Sequence, residues 1–80
     1  NSENLIKRLI EKATVRGEKL TANRISILRL MAENPYITKE EMAAITSLNA
    51  STIMRNIEFM RDKYLRRVGS DKNGFWEIID

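Results

Sequence analysis

Apolar positions along this chain recur at helical intervals up to about residue 64 and then take an extended pattern toward the C-terminus. From Ser2 to about Val15, a stripe of Leu5, Ile6, Leu9, Ile10 and Ala13 is covered on its other side by Lys7, Arg8, Glu11 and Lys12. The stripe is shorter than two heptads, which predicts packing on the same domain rather than a seam with a second copy. Gly17 breaks the pattern, and Arg16 to Lys19 reads as a connector. Thr21 then caps a second helix, whose side of Ile25, Leu28 and Ala32 is widened by Ile27, Leu30 and Met31. Apolar over much of its circumference, this helix belongs at the centre of the core. Asn34 and Pro35 end it, because proline has no N–H to donate and restricts the residue before it. Tyr36 and Ile37 follow as a short extended piece, expected as a single small strand.

Thr38, Lys39, Glu40 and Glu41 form a capping box: the Thr38 hydroxyl can accept from the N–H three residues on, and Glu41 can reach back. The helix it starts runs only through Met42, Ala43, Ala44 and Ile45 before a turn at Thr46, Ser47, Leu48 and Asn49. Ala43 and Ala44 are small enough for a close helix crossing, and Leu48 is placed to plug the angle. Asn49 caps a longer helix, read as residues 50–63, with Ile53, Ile57, Met60 and Tyr64 on one buried stripe. A short helix, a tight turn and a longer helix make a helix-turn-helix. After Tyr64, residues 65–69 read as a strand. Ser70 to Gly74 is dense in turn formers, with an Asn73-Gly74 hairpin signal, and 75–79 reads as the returning strand.

Composition narrows the function. The 80 residues are 42% hydrophobic and 31% charged, which suits one globular domain, and no apolar run approaches a membrane span. With neither cysteine nor histidine, the chain has no thiolate zinc site and no ordinary nucleophilic triad. No catalytic residue, metal site or cofactor is therefore expected. The formal charge is +3, and its whole surplus lies between Arg55 and Lys72, where six basic residues face three acidic ones. Such a patch is the electrostatic footprint of a phosphate-binding surface. The chain begins at Asn1 rather than methionine, as expected of a piece of a larger protein.

Four stretches carry a resemblance to a known family: Leu20 to Leu28, Asn34 to Thr38, Ser51 to Ile57, and Arg67 to Ile79. From about Lys19 onward the chain resembles the winged helix-turn-helix domains that close bacterial and archaeal transcriptional regulators. The likeness is greatest to regulators with a Schlafen/AlbA-like domain, often labelled helicase-related; similar domains end some Fic-family proteins. The expected fold is mainly α with a small β-hairpin, a three-helix core plus wing carrying an extra N-terminal helix. Residues 1–19 would be that helix and its connector, and residues 20–80 the winged domain. Two positions depart from the pattern. Lys63 stands where such domains usually close the helix with glycine, and Phe59 stands where a polar or basic residue is usual.

The resemblance implies double-stranded DNA as partner, with helix 50–63 in the major groove and hairpin 65–79 on the backbone or minor groove. The residue types agree. Ser51, Thr52, Arg55 and Asn56 are the side chains expected toward base edges, and Arg66, Arg67 and Lys72 suit phosphates. Asn56, beside Ile57, has a structural role as an equal reading. Tyr36, Phe75 and Trp76 are read as packing rather than as a base-stacking platform. The expected setting is a cytoplasmic regulator acting as a homodimer, with no small-molecule substrate. The competing function is a protein–protein or dimerisation module, suggested by Phe59, the apolar N-terminal stripe and the modest charge.

Overall fold

A computed structural model describes all 80 residues as four helices followed by a two-stranded hairpin. Each helix start is chemically marked. Helix α1 (Ser2–Arg16) is capped by Asn1, and α2 (Ala22–Glu33) by the Thr21 hydroxyl. Both halves of the capping box at Thr38 and Glu41 form at the start of α3 (Lys39–Thr46), and Asn49 caps α4 (Ala50–Met60). Strands β1 (Leu65–Val68) and β2 (Phe75–Ile78) pair antiparallel, with Arg67 opposite Trp76 and Arg66 opposite Glu77. This is a mainly α winged helix with an added N-terminal helix.

One core joins all of these elements. Ile27, Leu28 and Met31 of α2 are fully buried at its centre, where α2 touches α1, α3, α4 and β2. Ile6, Leu9 and Ala13 of α1 belong to the same cluster and Leu5 packs against it, so most of the N-terminal stripe is consumed by its own domain, while Ile10 stays exposed. Polar clamps reinforce that docking. Arg29 takes both oxygens of Glu3, Arg8 holds Asp80, and the Lys12 ammonium donates to the Lys63 and Ile79 carbonyls. At the connector, Glu18 accepts from Arg16, Lys63 and Tyr64 together, the last at 2.6 Å. Those donors hold its carboxyl down at about 2, Lys63 contributing most, while burial and then Glu18 raise the Tyr64 phenol.

The structure departs from the sequence pattern at several places. Helix α4 stops at Met60, three residues short of the expected end. Arg61 is extended and Asp62 turns left-handed at φ 64°, so the handedness expected of a glycine falls on Asp62, one residue before Lys63. Tyr64 is fully buried although it lies beyond the helix: its N–H still reaches the Met60 carbonyl, so a turn preserves the helical spacing. Tyr36 and Ile37 form no strand, and the sheet has two strands only. Instead, their loop offers carbonyls to Trp76, whose backbone N–H donates to Pro35 and whose indole N–H donates to Ile37. Ala43 packs on the core but Ala44 is exposed, so only one of the two alanines serves the crossing. Leu48 does pack inward, from a turn in which Ser47 takes φ 61°.

The hairpin loop spans residues 69–74 rather than a two-residue turn. Positive φ occurs at Gly69, not at Asn73 or Gly74. Gly74 is buried for a different reason: a Cβ there would press into the Ser70 and Val68 carbonyl oxygens. Gly74→Ala should therefore open the wing at a cost of about 1–3 kcal/mol, while helical circular dichroism persists; urea unfolding measures the loss. Acid provides a second test. The Glu18 carboxyl lies below its ordinary value of 4.5 when folded, so its stabilisation is complete above that value and fades as pH falls toward about 2. Glu18→Gln should remove this part of the acid dependence, seen as a flatter fall of unfolding midpoint across that window.

Candidate nucleic-acid interface

The surface of α4 divides into arcs by the helical step. Ile53, Ile57 and Met60 are buried, and Ser51, Arg55 and Glu58 are exposed on the opposite side at intervals of four and three residues. The Asn49 cap sets up the first turn: its side-chain oxygen accepts the Thr52 N–H and the Ser51 hydroxyl, both at 2.8 Å. Arg55 stands at the middle of the exposed ridge and makes no side-chain hydrogen bond or ion pair within the protein, which leaves its whole donor fork to a ligand.

Thr52, Asn56 and Phe59 make the flank between these arcs, and all three are half-buried. Both ends of the Asn56 amide are engaged: its NH₂ donates to the Thr52 carbonyl at 2.9 Å, and its oxygen accepts from Arg24 at 3.1 Å. The bonds of Asn56 thus describe the structural role that the sequence left open. Arg24 also lies over the Phe59 ring at 3.6 Å, with the Lys63 ammonium 4.7 Å from the same ring. Phe59 is therefore covered by cations and packed on the core, not exposed on the outer face.

Ion pairing redistributes the basic surplus of the C-terminal half. Arg61 pairs with Glu58, Lys63 with Glu18, and Arg66 with Glu77. Strand alternation sends Arg66 and Arg67 to opposite faces of the hairpin. Arg67 lies over the Trp76 ring at 4.7 Å and donates to the Ser70 and Asp71 carbonyls, bracing the wing from within. Lys72 at the wing tip makes no bond to the protein. Of the seven residues expected at the interface, Arg55 and Lys72 are thus cations free of protein partners, Ser51 and Thr52 are held by the cap, Asn56 and Arg67 brace the fold, and Arg66 is neutralised in place.

A concavity gathers residues that sequence reasoning missed. A groove of about 470 Å³ is lined by Tyr36, Ile37, Thr38, Lys39, Glu40 and Arg61 together with Arg67, Asp71, Lys72, Gly74 and Trp76. Nothing in the linear spacing places Lys39 near Lys72. The Trp76 indole, bonded to the Ile37 carbonyl at 2.9 Å, its backbone N–H on Pro35 and the Tyr36–Phe75 contact bring the start of α3 against the wing.

No curated protein and no solved structure matches this chain. Residues 20–63, more than half of its length, match the sequence profile of winged helix-turn-helix DNA-binding domains. That range spans α2, α3, the turn and α4, the elements that raise the Arg55 ridge on a packed core. With the hairpin following directly, the sequence match and the architecture agree: the chain belongs to the winged helix-turn-helix DNA-binding family.

Proposed function

We propose that this domain is the DNA-binding module of a cytoplasmic transcriptional regulator, engaging one half-site of duplex DNA and working as a pair. In this reading α4 enters the major groove with Ser51, Thr52 and Arg55 toward base edges, and the hairpin lies along the backbone or minor groove. The observation that carries it is Arg55: an unpaired guanidinium on the ridge opposite the buried stripe, in the helix a winged helix-turn-helix uses for reading. Its fork suits guanine or a phosphate equally. Asn56 acts from behind, holding the flank. Lys72 reaches phosphate from the wing tip, and Arg67 keeps the wing ordered. Arg66 contributes only where a phosphate competes with Glu77.

Two features that suggested a protein-docking module are taken up by the fold itself. Ile6, Leu9 and Ala13 of the α1 stripe are in the core, with Ile10 left exposed, and Phe59 is covered by Arg24. So few free cations neutralise about three to five phosphates at most, and useful affinity then needs a second copy or a linked domain.

A salt titration of duplex binding tests the reading. Arg55→Ala combined with Lys72→Ala should weaken binding and lower the slope of log affinity against log salt by about two, at roughly 0.9 per phosphate contact. The Arg66→Ala, Glu77→Ala pair removes an already neutral couple and should leave the slope as it was. An unchanged slope in the first variant would count against the proposal.

A further inference from the structure

The geometry points to a second nucleic-acid site in the groove between the wing and the start of α3, suited to an unpaired nucleotide; the inference rests on the DNA-binding reading above. Its volume of about 470 Å³ falls within the roughly 300–1,000 Å³ of small-ligand clefts. Tyr36, on the rim, is 68% exposed. It is nevertheless held in place: its ring packs against Phe75 at 6.0 Å with a 54° tilt, and its N–H donates to the Asn34 side chain. An exposed aromatic face fixed before binding costs little ordering when a base lies on it.

The charges around that ring suit one phosphate. Lys39 and Lys72 line the groove and have no protein partners, and Arg61 and Arg67 stand beside them. Glu40 and Asp71 oppose these four cations, and Arg61 is already shared with Glu58. The balance favours an anion but not a run of them. Bases within a duplex are stacked on one another and cannot lie on Tyr36; an unpaired base can. The class of ligand is therefore a single-stranded overhang or frayed end whose phosphate meets Lys39 and Lys72 and whose base covers Tyr36.

Trp76, the only tryptophan, lines the groove and reports on its occupancy. The experiment compares the full chain with a blunt duplex, the same duplex carrying a short thymidine overhang, a short oligothymidylate, and inorganic phosphate. Fluorescence anisotropy gives affinity, and Trp76 emission gives groove occupancy. The overhang should bind more tightly than the blunt end and change Trp76 emission. Tyr36→Ala should weaken overhang and oligothymidylate binding on the order of 5- to 100-fold, the range of one base–aromatic stack, and Tyr36→Phe should retain it. Glu40→Gln with Asp71→Asn should tighten it. All three substituted sites are at the surface, and circular dichroism checks the fold. No gain from the overhang, no effect of Tyr36→Ala, or an equal Trp76 response to inorganic phosphate each overturns the assignment. Blunt-duplex binding that persists with no overhang gain defeats this site alone. Overhang binding that persists without blunt-duplex binding defeats the reading-helix proposal alone.

Discussion

The wing is tied to the loop between α2 and α3 through Trp76, which bonds that loop twice. Its backbone N–H and its indole N–H donate to two carbonyls of the loop between α2 and α3, at Pro35 and Ile37, while its ring lies under Arg67. Two strands of four residues have little stability by themselves. Bonded to the loop through both groups, the hairpin becomes part of the domain's interior, and the loop carbonyls are satisfied at the same time. The same side chain therefore fixes where the wing stands and shapes one wall of the groove.

The second organising constraint is electrostatic. The chain has enough cations to look basic as a sequence, but folding decides which of them reach a partner. Glu18 draws Arg16, Lys63 and Tyr64 into one cluster at the connector, and Glu77 and Glu58 occupy Arg66 and Arg61. The exposed Glu58–Arg61 and Glu77–Arg66 pairs stabilise little; their larger effect is to subtract charge from the surface. What remains outward is sparse, and its position matters more than its total.

The helical half of the fold was legible because three helix starts carry their own chemical mark, at Thr21, Thr38 and Asn49, and because the buried stripes keep helical spacing; the Asn1 cap of α1 was not read from the sequence. The hairpin was legible from its glycines and aromatics. Helix ends were less so, since Tyr64 holds a helical interval while sitting in a turn. At the interface, the exposed ridge with Arg55 follows from periodicity alone. The fates of Asn56, Phe59, Arg66 and Arg67 do not, because each depends on a partner distant in sequence or across a strand: Arg24 for the first two, Glu77 and Trp76 for the others. The groove was invisible for the same reason, being made where residues 36–40 meet residues 71–76.

Ser47 has a consequence for how the two helices of the motif hold their angle. A serine in the left-handed region carries a steric penalty of about 1–2 kcal/mol that a glycine would avoid. It is kept there by its neighbours: the Thr46 hydroxyl accepts the Leu48 N–H, and half-buried Leu48 packs against the core. The bend is thus imposed by packing rather than chosen by the residue at its apex. Anything that loosens the interior, heat or a smaller side chain at Leu48, would let the bend relax first, so the aim of α4 would blur while the helices themselves stayed intact.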